Sequence, residues 1–180
     1  MTRRIRTDRL LTLPASSPQE VWDRLEDVAS YRTWWPWLRR FDASALAPGE
    51  VWVCEVRPPL PYVVTFSMTV EDVVAEALVV ATLVGDIRGT ARLTLRPVPG
   101  VGPDPGTELR LAADLAPASL LLRTVMVGAG PVARFGHDWI IDTGARQFAE
   151  RAFSRPRPDA PAGGAEVLER KIIRGRMRTF

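Results

Sequence analysis

The chain has 180 residues, 46% of them hydrophobic and 25% charged, with a net charge of +3, which is the composition of a globular protein and enough for one domain with a sizeable core. No run approaches the roughly 20 apolar residues of a membrane helix, and the basic start Met1-Thr-Arg-Arg-Ile-Arg6 has no apolar stretch of a secretory signal, so no transmembrane segment is expected. Cys54 is the only cysteine, which excludes an internal disulfide and points to a cytoplasmic protein.

Residues Arg6 to Leu13 read as a first strand. Ser17 before Pro18 is a helix N-cap, with Glu20 placing negative charge in the first turn. Val21, Trp22, Leu25 and Val28 then form one apolar stripe, and a second short helix runs to Trp34, stopped by Pro36. Strands follow at Glu50–Arg57 and Val63–Val73. Ala77–Val84 is apolar throughout and reads as a strand buried on both faces. Gly85-Asp-Ile-Arg-Gly89 is a bend or bulge. Ala91, Leu93 and Leu95 alternate with Arg92, Thr94 and Arg96, and Leu109, Leu111, Ala113 and Leu115 alternate with polar partners after a Gly/Pro-rich loop. Strands so closely connected form an antiparallel meander.

Ala118–Val127 is an apolar, helical stretch. A long helix then opens at Pro131 and runs to about Phe153, its apolar positions Val132, Phe135, Trp139, Ile140, Phe148 and Ala152 recurring at three- and four-residue steps. Arg155–Gly164 is a proline-rich linker. Arginines crowd residues 170–180, where Lys171 is the sole lysine. Such a basic end can meet phosphate or lipid but is more often solvated, so no nucleic-acid partner is expected.

The Val21-Trp22-x-x-Leu25-x-Asp27 helix, Tyr31-x-x-Trp34-x-Pro36, Gly85-Asp-x-x-Gly89, Gly106-Thr107 and Arg134-x-x-His137-x-Trp139-x-x-x-x-Gly144, in that order, resemble the START/Bet v 1-like (SRPBCC) superfamily, in particular its bacterial polyketide cyclase/dehydrase and lipid-transport branch. The resemblance covers residues 5 to 153. It implies an α+β helix-grip fold, a curved antiparallel sheet of about seven strands around a long C-terminal helix with a hydrophobic cavity between them. It divides the chain into a domain over residues 1–153 and a tail over 154–180. It also implies binding of a small apolar ligand or, in some members, ring closure and dehydration on a polyketide chain.

The candidate chemistry is sparse. His137 is the only histidine, so any histidine-dependent acid–base step falls to it; the alternative is a helix residue fixed by a local hydrogen bond. No histidine or cysteine cluster supports a metal, no glycine loop supports a nucleotide, and no cofactor is expected. Asp138 and Asp142 are read as partners of Arg134 or Arg146. Trp34, Trp35 and Trp37 either stack on a flat ligand at a pocket mouth or plug the junction of helices and sheet. Trp22 is core, Trp52 faces either side, and Cys54 is a small buried hydrophobe. Glu55, Tyr62, Thr65, Arg92, Arg110 and His137 are the polar residues that could face a cavity, although strand parity turns Arg92 and Arg110 away from the leucine face. The ligand wall is assigned to Phe66, Met68, Leu93, Leu111, Trp139 and Ile140, with Trp35, Tyr62 and His137 at its entrance or polar end. Three readings follow: a binder or carrier of a small hydrophobic molecule, a polyketide cyclase, or an interaction module acting through the basic tail.

The tail reading is testable by truncation. Removing residues 155–180 is expected to leave the domain folded; a fall in Tm of more than about 8 °C would mean that the tail contributes more than about 1–2 kcal/mol and would overturn it.

Overall fold

The computed structural model describes residues 4–100, 105–128 and 130–153, and the tail expected beyond residue 153 lies outside them. The chain begins with strand β1 (Ile5–Leu13), followed by helix α1 (Pro18–Glu26), a 3-10 turn (Val28–Ser30) and the short helix α2 (Tyr31–Trp34). Strands β2 (Leu38–Asp42), β3 (Val51–Val56), β4 (Val64–Val74), β5 (Leu78–Gly85), β6 (Ile87–Val98) and β7 (Gly106–Pro117) come next. Helices α3 (Leu120–Gly128) and α4 (Gly130–Gln147) close the order, α4 ending in a π-helical turn over Phe148–Ala152. All strands join one antiparallel seven-stranded sheet in the order β1-β7-β6-β5-β4-β3-β2. This is the helix-grip α+β fold, a meander whose last strand pairs with the first.

Local chemistry explains the elements. Ser17 and Glu20 form a reciprocal capping box: the Ser17 hydroxyl accepts from the Glu20 amide, and the Glu20 carboxylate accepts from the Ser17 amide at 2.8 Å. The stripe Val21, Trp22, Leu25 and Val28 is buried, together with Tyr31, Trp34, Leu38, Trp52 and Phe148, in a core at the α1–α2 end of the sheet. Asp86 organises the β5–β6 turn. Its carboxylate accepts from the Thr65 amide at 2.8 Å and its carbonyl from the Ala118 amide at 2.7 Å, which ties the turn to β4 and to the start of the α3 segment. Gly85–Gly89 is therefore a hairpin turn between two strands.

Two expectations are corrected. β2 was not visible in the sequence, being five residues long and interrupted by a register shift between Leu38 and Arg40. β5 is not buried on both faces: Val84 is 65% exposed, because among the described residues only the concave side of the sheet carries helices.

Gly89 sits opposite Leu115 with φ of 149°, and a Cβ there would lie 2.0 Å from the Asp114 carbonyl oxygen. Gly89→Ala is expected to lower unfolding free energy by at least about 2 kcal/mol, from strained backbone and a clash that no side-chain rotation relieves. An unchanged denaturant midpoint would show that the β6–β7 ladder opens there without penalty.

Candidate functional site: an apolar cavity under the closing helix

The inward rows of the sheet alternate large and small residues. Leu111, Leu93 and Val79 are cross-strand neighbours in one row, and Leu115, Gly89, Leu83, Met68 and Trp52 in another. Between them lies Ala113–Ala91–Ala81, three methyl groups wide. Large side chains on either side of a small-residue row leave a hollow, and α4 spans it.

Helix α4 is fastened at its margins. On the β1 side, the Thr7 hydroxyl and His137 Nε2 share a hydrogen bond of 2.5 Å, and Arg9 reaches Asp142 at 3.1 Å and Asp138 at 3.6 Å. On the α2–β2 side, Trp35 Nε1 donates to the Gly144 carbonyl and Trp37 Nε1 to Gln147 Oε1, each at 3.0 Å. Near the start of α4, Gly136 accepts the loop between β3 and β4: a Cβ there would stand 2.7 Å from Leu60 Cδ1 and 2.9 Å from the Tyr62 hydroxyl.

The cavity has a volume of about 420 Å³. Tyr31, Trp35, Trp37, Phe41 and Trp52 make an aromatic end, with Tyr31 and Phe41 stacked at 5.2 Å and Trp35 and Trp37 at 5.9 Å. Leu83, Ile87, Leu115 and Leu122 supply an aliphatic part, and Ile140 and Ile141 form the α4 side.

Of the residues assigned to the ligand wall, Phe66, Met68, Leu93, Leu111 and Ile140 line this cavity, as do Trp35, Tyr62 and His137. Trp139 does not. The inward stripe of α4 is Gly136, His137, Ile140 and Ile141, and at about 100° per residue Trp139 falls on its flank, while Phe135 is 53% exposed. Glu55, Thr65, Arg92 and Arg110 are absent from the wall; Arg110 instead pairs with Asp8 on the outer face at 2.5 Å. Asp142 bonds Arg9 of β1 rather than Arg146, whose partner is Glu150. Trp52 faces inward, and its indole donates to the Ala45 carbonyl at 2.9 Å. Sequence reasoning did not assign Tyr31, Trp37, Phe41 and Leu122 to the wall. For Leu122 the signal was weak, since the apolar residues of α3 fall on all sides of the helix.

The titratable groups on the wall are neutral. Burial pushes the Cys54 thiol up to about 12, with a smaller push from Asp42, and raises the Tyr62 hydroxyl. Burial lowers His137 below the usual histidine range; Asp138 opposes this, Arg9 and Arg134 reinforce it, and Asp142 opposes it. Among the described residues, no three His, Cys, Asp or Glu side chains converge as a metal site would require.

No protein-family model and no curated protein sequence matches this chain. Solved structures do match in fold. The di-domain aromatase/cyclase BexL of the BE-7585A biosynthetic pathway superposes with a TM-score of 0.64 at 14% identity, over 85% of this chain and 51% of that one. This chain thus spans about half of that di-domain protein. The Zhui aromatase/cyclase from Streptomyces sp. R1128 gives a TM-score of 0.58 at 15% identity, over 82% of this chain and 91% of that one. Truncated norcoclaurine synthase from Thalictrum flavum gives 0.57 at 10% identity, over 86% and 97%. The chain shares the helix-grip fold of these proteins.

His137 provides a pH test. A depressed folded pKa means that the unfolded chain takes up the proton first as pH falls. The stability tied to neutral His137 is complete above about pH 6.5 and is lost as pH falls from there to the folded pKa. The wild type is therefore expected to lose more stability between about pH 7 and pH 5 than His137→Gln does, in paired urea titrations. Parallel losses would place the imidazole in solvent.

Proposed function

We propose that this chain binds a small, ring-containing hydrophobic molecule between the sheet and α4. The observation that carries this reading is the cavity of about 420 Å³ with five aromatic side chains at one end. That volume lies within the usual range for small-molecule sites. Burying about 300 Å² of ligand surface at about 25 cal/mol per Å² contributes roughly 7 kcal/mol, which brings micromolar affinity within reach if ligand and wall are already ordered. The site residues we propose are Trp35, Tyr62, Phe66, Met68, Leu93, Leu111, His137 and Ile140, now joined by Tyr31, Trp37 and Trp52. No helix among the described residues is long and apolar enough to cross a membrane. The unit responsible is proposed to be residues 1–153, with 154–180 as an appendage.

A second reading, ring closure with loss of water on a polyketide chain, draws on the two polar groups at one end of the cavity, Tyr62 and His137. Two of the structurally similar proteins above are named as aromatase/cyclases. If it holds, His137→Gln abolishes product formation from a linear polyketone while binding persists.

Binding itself is tested by titrating the protein with an environment-sensitive apolar dye. The wild type is expected to bind with micromolar Kd. Leu111→Arg, and Ala91→Leu, which fills the small-residue row, are each expected to weaken binding at least about tenfold while circular dichroism stays native. Unchanged binding in folded variants would place the dye elsewhere and sink the cavity reading.

A further inference from the structure

Among the described residues, every charged side chain is kept off the cavity wall. The residues lining it include no Asp, Glu, Lys or Arg. The charges nearest its polar end are engaged with one another: Arg9 with Asp138 and Asp142, and Arg134 with Asp138 at 3.8 Å. A ligand carboxylate or phosphate inside would therefore meet no cation, and burying an unpaired anion is strongly unfavourable.

The polar atoms of the wall are also largely committed. Tyr31 donates to the Leu25 carbonyl at 2.6 Å, and the Trp35, Trp37 and Trp52 indoles donate to Gly144, Gln147 and Ala45. His137 Nε2 is held by Thr7. The Tyr62 hydroxyl differs. It lies against Gly136, burial raises its pKa, and among the described residues it has no hydrogen-bond partner. Every fully buried polar side-chain atom has a partner, so the Tyr62 hydroxyl is an unpartnered group that remains accessible. Tyr62 stands beside the residue preceding His137, which places both polar groups at the same end of the cavity. The Cys54 thiol is only a weak donor.

We infer that the cavity selects an uncharged, flat ligand that places a single carbonyl or hydroxyl oxygen against the Tyr62 hydroxyl, and that it rejects carboxylates of the same ring size. The inference rests on the binding reading above and adds the ligand's charge and the residue that orients it. Tyr62 acts as a specificity residue: its hydrogen bond discriminates among ring systems that the aromatic end accepts alike. The aromatic end fixes the ring plane, because Trp35 and Trp37 lie within 29° of parallel. The empty charge environment then sets the class of substituent.

The test uses the full chain and three probes of one ring size, 2-acetylnaphthalene, 2-ethylnaphthalene and 2-naphthoate, competing against the apolar dye at pH 7.5. The ketone is expected to bind about 3- to 10-fold tighter than the ethyl compound, the usual range for one net hydrogen bond. The carboxylate is expected to bind at least about 100-fold more weakly than the ketone. Tyr62→Phe is expected to erase the ketone's advantage over the ethyl compound. Naphthoate binding as tightly as the ketone, or a ketone advantage that survives Tyr62→Phe, overturns the inference while dye binding keeps the cavity reading intact. Absence of dye binding overturns both.

Discussion

The structure depends on how α4 is held. A helix laid on a sheet ordinarily buries its central stripe against the inward side chains, and the layers close to about 10 Å with no void. Here the fastening is at the margins: Thr7 and Arg9 on one side, Trp35 and Trp37 on the other, and the Leu60–Tyr62 loop against Gly136. The centre of the helix, Ile140 and Ile141, is left facing space. These polar contacts are short and directional, so they set a standoff distance that apolar contacts alone would collapse. By the scaling known for engineered core cavities, an unfilled void of this size would forgo packing on the order of 10 kcal/mol, comparable to the whole stability of a domain.

The frame also sorts charge. On the β1–β7 pair, the outward row carries Asp8 and Arg110, which bond each other across the strands, while the inward row carries Thr7, Leu111 and Ala113. Arg9 shares the inward parity, yet it sits where α4 passes over β1 and is drawn out to Asp138 and Asp142. That one arginine makes the seam between β1 and α4 polar. It also adds to the positive potential at His137 and helps to keep the imidazole neutral.

Much of this was legible beforehand, for specific reasons. The N-cap at Ser17 and the stripe Val21–Trp22–Leu25 are local signals, and both form as written. The alternation in β6 and β7 fixed their inward leucines, because a pleated strand with one solvated face leaves no other choice. What failed was whatever depends on distant partners. The valines of β5 imply two covered faces by composition, but whether a second layer exists is decided elsewhere in the chain. Trp139 stands off the wall it was assigned to, because the inward stripe of α4 is marked by Gly136, whose lack of a side chain admits Leu60 and Tyr62. The ion pair from Asp142 to Arg9 crosses 133 residues, and no spacing rule announces it.

At 10–15% identity the structurally similar proteins share this chain's fold, and chemistry must be argued from the cavity lining itself. Four groups there could transfer a proton or attack a carbon, and burial pushes each away from ionisation: the Cys54 thiol and the Tyr31 and Tyr62 hydroxyls upward, the His137 imidazole downward. A thiolate or tyrosinate nucleophile is therefore disfavoured at neutral pH. A neutral imidazole paired with Thr7 remains competent as a base toward an acidic carbon or hydroxyl brought to it, and a neutral phenol remains competent as a hydrogen-bond donor to a carbonyl. Any reaction in this site would thus proceed through the placement of an intrinsically reactive ligand, with the wall supplying orientation, exclusion of water and one or two neutral hydrogen bonds. Binding comes first in that order, since the same aromatic end and the same Tyr62 hydroxyl that would hold a carrier's cargo are those that would fold a substrate.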